Sequence, residues 1–197
     1  EAKEYIPTLA ASATADDALL SSLIARFDEL AAAFCNYIEQ QNGDRSMESG
    51  TYREILDGPA GRYLYLSAKP VTAIGSIYDD PDLDYNADDL IAASDYVLHD
   101  LEGLVILKTT ATDGTFSGNK RAIQVTYTAG YTSGTMPGAV KHAAALQVAH
   151  WYNARSHIGR TSVSAQGQTA ALSSLELLPE TREALKPYRL ATGGWIG

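Results

Sequence analysis

The sequence holds a single cysteine among 197 residues, and this scarcity limits its chemistry. One cysteine cannot form a disulfide bond within the chain, so a reducing compartment is its natural setting. Cys35 follows Phe34 on an apolar helical stretch, and no cation stands beside it in the sequence to lower its pKa. We therefore expect a buried, unreactive thiol rather than a nucleophile.

Long apolar runs and clusters of basic residues are also missing. No stretch approaches the roughly 20 apolar residues that a membrane-spanning helix needs, so no membrane span is expected. Lys and Arg together number 15 against 24 Asp and Glu, which gives a net charge of -9. Tight binding of nucleic acid requires clustered cations, and the pair Lys120–Arg121 is too short to provide them. The balance favours solubility and contacts with other proteins.

Familiar catalytic motifs are absent as well. The chain contains no GxSxG nucleophile motif, no phosphate-binding loop and no dinucleotide fingerprint. His142, His150 and His157 lack the i, i+4 spacing of a zinc-binding helix. The glycines of "GPAG", Gly58 to Gly61, fall between two predicted strands and indicate a turn. These absences predict a protein that is not an enzyme and carries no cofactor.

One acidic loop, Asp79 to Asp89, partly matches the sequence pattern of a metal site. Its oxygen-bearing side chains alternate as in a calcium loop: Asp80, Asp82, Asp84, Asn86 and Asp88. The calcium pattern fails, however, because Tyr85 stands where the sharp turn needs Gly and Ile91 where the bidentate Glu belongs. A solvated acidic loop without a metal ion is the favoured interpretation.

Residues 1–49 form the first of three predicted zones and are expected to be helical. Thr14 is the predicted N-cap, with Asp17 three residues later. An apolar stripe from Leu20 to Ile38, which includes Phe27 and Phe34, predicts an amphipathic helix to about Gln41. Gly43 is expected to end it, and a shorter helix ending near Pro7 is expected before it.

Residues 50–131 form a predicted β region. Six short runs rich in Tyr, Val, Ile and Thr are separated by turn residues: "TYREILD", "RYLYL", "VTAIGSIY", "YVLHD", "GLVIL" and "AIQVTYT". Because no helices lie between them, they predict antiparallel hairpins. The 12 Tyr against 3 Phe and 2 Trp fit either surfaces buried on assembly or ordinary strand propensity.

Residues 132–197 return to helix. A helix is expected from Pro137, with Val140, Ala144, Val148 and Trp151 at helical spacing. The small, polar residues Gly159 to Ser174 predict a mobile loop, and Pro179 opens a last short helix. The predicted class is therefore α+β. A small bundle of N- and C-terminal helices would share a core of Phe27, Phe34, Val148 and Trp151, with the β region inserted.

Taken in order, these segments resemble a known family. "YREILDGPAGRYLYLSAKPVTAIGSIY", "YVLHDLEGLVIL", "IQVTYTAGY", "MPGAVKHAAALQVAHWYNAR" and "LPETREALKPYR" are similar to segments of the head–tail connector proteins of tailed bacteriophages. These are the adaptor, or head-completion, proteins that lie below the portal. The likeness covers nearly the whole chain, and the acidic loop departs from it.

The resemblance implies a structural virion protein of the neck, assembled in the host cytoplasm. It implies a homo-oligomeric ring, typically twelvefold, that attaches to the portal protein and extends the DNA channel. DNA would pass without specific binding, and a stopper or tail protein would dock below. In this family C-terminal segments commonly dock on the portal, which assigns that contact to Leu185, Tyr188, Arg189, Leu190 and Trp195.

A second interpretation remains open from the residues alone. A small hydrolase or a ligand-binding accessory module built on the β region could use Asp57, Asp100 or the acidic loop. A pocket with convergent polar groups would favour that alternative, since an adaptor needs none.

Overall fold

The computed structural model describes residues 14–111, 114–155, 162–165, 168–171 and 176–190. Their helices are α1 (Asp17–Phe34), α2 (Gly138–Ala154) and α3 (Pro179–Leu185). Their strands are β1 (Gly50–Leu56), β2 (Tyr63–Tyr65), β3 (Val71–Asp79), β4 (Tyr96–His99), β5 (Leu104–Leu107), β6 (Ile123–Ala129), β7 (Ser162–Ala165) and β8 (Gln168–Ala171). The fold is α+β, as predicted. The chain divides into two compact units, Glu1–Cys35 with Met136–Arg189 and Asn36–Thr135 with Leu190–Gly197.

The first unit contains the three helices. In it α2 contacts both α1 and α3. Small residues on α2, such as Ala143 and Ala145, are buried, which allows close approach of neighbouring elements. The larger buried side chains of this unit include Leu20, Phe27, Val140, Val148, Trp151, Tyr152, Leu177 and Leu185. Phe34, at the last residue of α1, is only half-buried.

The start of α1 differs from the prediction. The helix begins at Asp17 with Asp16 in the N-cap position, and no side chain caps it. Thr14 contributes only its carbonyl, which accepts a hydrogen bond from the Asp17 N–H at 3.1 Å. The Asp16 carboxylate instead accepts a hydrogen bond from the Tyr152 hydroxyl at 2.5 Å. A tertiary contact has therefore replaced local capping. The helix expected before Pro7 lies outside the described residues.

The end of α1 also comes earlier than predicted. The helix stops at Phe34, and Asn36 adopts a left-handed backbone with φ of 63°. Tyr37 then belongs to the second unit, where its hydroxyl donates to the Lys69 carbonyl at 2.8 Å. Ile38 packs against the core of that unit. Burial of these two side chains outweighs the helical propensity of the segment up to Gln41.

The second unit contains two three-stranded antiparallel sheets. Their strand orders are β1-β6-β3 and β2-β5-β4, so all six predicted strands form. Of these six, only β4 and β5 are neighbours both in the chain and in a sheet. The pairing is antiparallel throughout these six strands, as predicted, but only β4 and β5 form one of the expected hairpins. Strand β6, which is buried along most of its length, takes the central position between β1 and β3.

The sequence "TAGY" at the end of β6 contains Gly130, whose backbone conformation favours glycine. Its φ is +103°, a conformation that side chains rarely allow. A Cβ atom there would lie 2.6 Å from the Glu48 carbonyl oxygen. Its N–H donates to the Pro70 carbonyl at 2.8 Å. The glycine thus lets the chain leave β6 close to two other segments of the unit.

The core of the second unit fills the space between its strands. Tyr52 and Tyr127 stack within it, with ring centroids 5.5 Å apart. Its fully buried members also include Leu64, Leu66, Val71, Ile77, Val105, Leu107, Phe116, Ile123 and Val125. The sheets therefore bury one apolar face each.

The predicted loop from Gly159 to Ser174 is not structureless where it is described. Ser162–Ala165 and Gln168–Ala171 pair as antiparallel strands. Val163 and Thr169 are β-branched residues, which favour extended backbone. The small and polar composition of this segment concealed that preference.

Candidate protein-interaction site

The end of the described chain carries most of the predicted portal-docking residues. Leu185 has 0% of its surface exposed, so its side chain belongs to the core of the first unit. Tyr188 and Leu190 are half-buried, and Arg189 is exposed. Trp195 lies outside the described residues. The exposed and half-exposed members begin with Tyr188, the last residue of the short 3-10 turn Lys186–Tyr188.

Arg189 fixes this segment to the end of α1. Its Nε donates to the Phe34 carbonyl at 3.1 Å. Its guanidinium carbon lies 5.2 Å from the centroid of the Phe34 ring. A cation at a helix C-terminus also complements the partial negative charge of the free carbonyls. The Cys35 thiol, next along the chain, donates to the Leu185 carbonyl at 3.6 Å.

Gln147 holds the other end of α3. This side chain is completely buried on α2. Its Oε1 accepts the Leu178 N–H at 2.7 Å, and its Nε2 donates to the Glu176 carbonyl at 3.3 Å. Hydrogen bonds therefore hold the chain on both sides of α3, through Gln147 before it and Arg189 after it. Sequence reasoning missed Gln147, and a polar residue on the apolar side of a predicted helix was the available signal.

The acidic loop is more ordered than expected. Asp80 is 2% exposed, and its carboxylate accepts the N–H groups of Asp82, Asp84 and Tyr85 at 2.6–2.7 Å. Burial raises the pKa of Asp80, but these backbone donors outweigh burial and lower the pKa overall. Carboxylate oxygens of Asp80, Asp84 and Asp89 lie within 4.8 Å of one another. Burial, followed by the neighbouring Asp80 and Asp84 charges, raises the pKa of Asp89.

The other acidic residues of the enzyme interpretation have local structural roles. Asp57 accepts the Arg121 N–H at 2.8 Å, and Asp100 accepts the N–H of its neighbour Leu101 at 2.9 Å. Both carboxylates are exposed. Among the described residues, neither belongs to a group of three potential metal ligands. His142 and His150 lie on α2 outside any such group, and His157 lies outside the described residues.

One buried carboxylate was not foreseen. Glu54 is 9% exposed and accepts the Ser67 Oγ hydroxyl at 2.5 Å and the Ser67 N–H at 3.1 Å. The Tyr127 hydroxyl also donates to Glu54 and accepts the Ala68 N–H at 3.0 Å. Burial, and secondarily the Glu54 charge, raises the pKa of Tyr127. These hydrogen bonds satisfy the carboxylate and join β1, β6 and the segment after β2.

Comparison with known proteins adds to this geometry. In the described part of the chain, no helix has the length and apolar character to cross a membrane. No curated protein matches the chain. Three similar chains come from structures of gene transfer agent (GTA) particles.

The first similar chain is in the virion of a native particle, with 17% identity, a TM-score of 0.58, and coverage of 100% of this chain and 90% of that one. The second is in the neck of an empty particle computed with C6 symmetry, with 17% identity, a TM-score of 0.58, and coverage of 100% and 91%. The third is in the neck of a native particle computed with C12 symmetry, with 15% identity, a TM-score of 0.55, and coverage of 91% and 86%. A family model described as "Head completion protein" matches residues 1–191. The chain belongs to the head completion protein family.

Proposed function

We propose that this protein is a structural head–tail connector, or adaptor, of a tailed phage or phage-like particle. The observation that carries this proposal is the head completion family match over residues 1–191. The similar chains in neck structures of GTA particles support the same location, at the head–tail interface of the virion.

The hydrogen bonds of the carboxylate side chains also support a structural role. Glu54, Asp57 and Asp80 accept hydrogen bonds from backbone N–H groups of their own fold. A catalytic carboxylate must instead face a site where a substrate can bind. We therefore propose that the protein is not an enzyme, and no observation favours the hydrolase or ligand-binding interpretation.

The subunits would assemble as a ring below the portal, and α1, α2 and α3 would form a small helical bundle in each subunit. The C6 and C12 symmetry of the similar neck structures supports a ring, and twelvefold is the number we propose. Such a ring needs heterologous interfaces, in which two different surfaces of each subunit meet. The net charge of -9 suits a channel through which DNA slides without being held.

The portal contact would lie in the C-terminal region. The proposed docking residues are Tyr188, Arg189, Leu190 and Trp195, with Leu185 as the buried residue that anchors α3. The hydrogen bond from Arg189 to the end of α1 supports a fixed starting point for this contact. A partner groove would then bind aromatic and Arg side chains, which are frequent anchors in interfaces.

Deletion of the gene from the genome that encodes the particle tests the proposed function. Without a connector, DNA-filled heads should accumulate beside free tails, and the wild-type gene supplied in trans should restore complete particles. Electron microscopy of the lysate distinguishes these states. Normal numbers of tailed particles after the deletion would contradict the proposal.

A further inference from the structure

The outward face of the β2-β5-β4 sheet is unusually apolar. Tyr63, Tyr65 and Val97 are 54%, 45% and 46% exposed, and Leu101, in the turn between β4 and β5, is 76% exposed. Antiparallel sheets that cover a core on one side usually present polar side chains on the other. Contiguous exposed apolar side chains of this kind indicate a surface that becomes covered by a partner.

The strand register places Tyr63, Tyr65 and Val97 on one face of the sheet. Residues directly opposite each other in neighbouring antiparallel strands share one face of the sheet. Two rows follow from the pairings, Tyr63–Ile106–Val97 and Tyr65–Leu104–His99. We call these six residues the tyrosine face. Ile106 and Leu104 lie in the central strand and are largely covered, while the residues of the two outer strands stay exposed.

The charge of the chain indicates which partner fits. The tyrosine face has no carboxylate, although the chain contains 24 Asp and Glu residues. Two copies that each carry a net charge of -9 repel one another, and a buried contact between them must keep carboxylates away from its centre. A basic partner would instead be complemented by acidic side chains, and none belongs to the tyrosine face; Asp100 and Glu102 lie in the turn between β4 and β5, outside its six residues. The tyrosine face therefore suits a second copy of the same protein.

We infer that the tyrosine face is one side of the subunit–subunit contact in the ring. This inference rests on the proposed function and adds the surface through which neighbouring copies meet. The neck structure of similar chains computed with C12 symmetry places equivalent copies around one axis. Because a ring contact is heterologous, the tyrosine face meets a different surface of the neighbouring copy. Tyr side chains suit this role, since they bury large area and keep a polar hydroxyl.

Photo-crosslinking in assembled particles tests this contact. Tyr65→p-benzoylphenylalanine retains an aromatic side chain at an exposed position, and Val97→p-benzoylphenylalanine is the second variant. Each is expressed together with the wild-type chain, so that mixed rings form even where a uniform variant ring would not. Ile55→p-benzoylphenylalanine is the matched control, because Ile55 is 37% exposed on a strand of the other sheet. Purified particles are irradiated, and the crosslinked peptides are identified by mass spectrometry.

We expect positions 65 and 97 to crosslink to a second copy of this chain, with a yield several-fold above that of position 55. The acceptor peptide should lie outside the tyrosine face. Crosslinks only to another particle protein, crosslinks between two tyrosine faces, or a yield no higher than the control would each overturn the inference.

The gene deletion separates this result from the proposed function. If the deletion blocks head completion while positions 65 and 97 give no crosslink to a second copy, the connector role stands and the inferred contact is wrong. If the deletion leaves tailed particles intact, the proposed function is wrong whatever the crosslinks show.

Discussion

Trp151 lies on α2 with 6% of its surface exposed, and the guanidinium carbon of Arg26 is 5.0 Å from its ring centroid. Trp151→Ala should lower the free energy of unfolding by about 3–5 kcal/mol, because it removes a large buried side chain and leaves a cavity. Chemical denaturation followed by circular dichroism measures this change.

Leu146 on the same helix is the matched control, since it is 37% exposed. Leu146→Ala should change the free energy of unfolding by no more than about 0.5 kcal/mol, as is usual for substitutions near the surface. Equal losses for the two variants would mean that Trp151 is not part of a packed core.

Cys35 has no exposed surface, and burial raises the pKa of its thiol from 9.0 to about 11, although the Arg189 charge partly opposes this. The folded protein thus holds the thiol proton more tightly than the unfolded chain. The resulting stability is complete below pH 9.0 and is lost as the pH rises through about 11.

The wild-type protein should therefore lose more stability than Cys35→Ala between pH 9 and pH 11. Urea unfolding of both proteins at several pH values gives the difference directly, because contributions common to the two proteins cancel in it. Parallel stability curves for the two proteins would be inconsistent with a buried thiol.

At the scale of the element, α3 depends on Gln147. Gln147→Leu places an apolar side chain in the buried site and leaves the Leu178 N–H and the Glu176 carbonyl without their partner. Each buried group left unpaired costs about 1–3 kcal/mol, so α3 should detach more readily. Hydrogen exchange of residues 178–185 should become faster, with little change in the β sheets.

Gln147→Glu is an informative intermediate. A protonated Glu carboxyl can accept the Leu178 N–H and donate to the Glu176 carbonyl, whereas an ionised carboxylate cannot donate and is costly to bury. At a pH low enough to protonate this Glu, exchange in α3 should therefore be slower than in Gln147→Leu. If neither substitution changes the exchange of α3, the side chain does not hold this helix.

The acidic loop gives a prediction about metal ions. The Asp80 carboxylate already accepts three backbone N–H groups, and the loop lacks the bidentate Glu of a calcium site. We expect no stoichiometric Ca²⁺ binding by isothermal titration calorimetry at millimolar calcium. Saturable binding of one ion that is lost in Asp84→Asn would show that Asp80, Asp84 and Asp89 form a metal site.

The strands were predictable from sequence because alternation of apolar and polar residues, as in Ile123, Val125 and Tyr127, is a local property. Their order in the sheets was not, since the pairing of β1 with β6 joins segments far apart in the chain. The early end of α1 depends on Tyr37 and its distant partner Lys69. The burial of Leu185 likewise depends on tertiary packing. Helical spacing alone could not separate an anchor of the fold from a docking residue.

If the C-terminal segment docks on the portal, removing it should impair assembly of the particle without unfolding the subunit. Deletion of residues 191–197 removes Trp195 but keeps Leu185 and Arg189, which hold α3 and the turn after it. The truncated subunit should remain folded and soluble, yet it should fail to restore complete particles in the gene deletion. Completion at the normal rate by the truncated chain would show that the C-terminal segment is not the anchor.

The central claim is that copies of this chain form a ring in the neck of the particle. Cryo-electron microscopy of the purified particle, focused on the head–tail interface, tests it most directly. We expect a ring of this fold directly below the portal, with DNA or an open channel along its axis. Density that assigns this position to another protein, with no copies of this chain in the neck, would show that the chain does not form the connector ring.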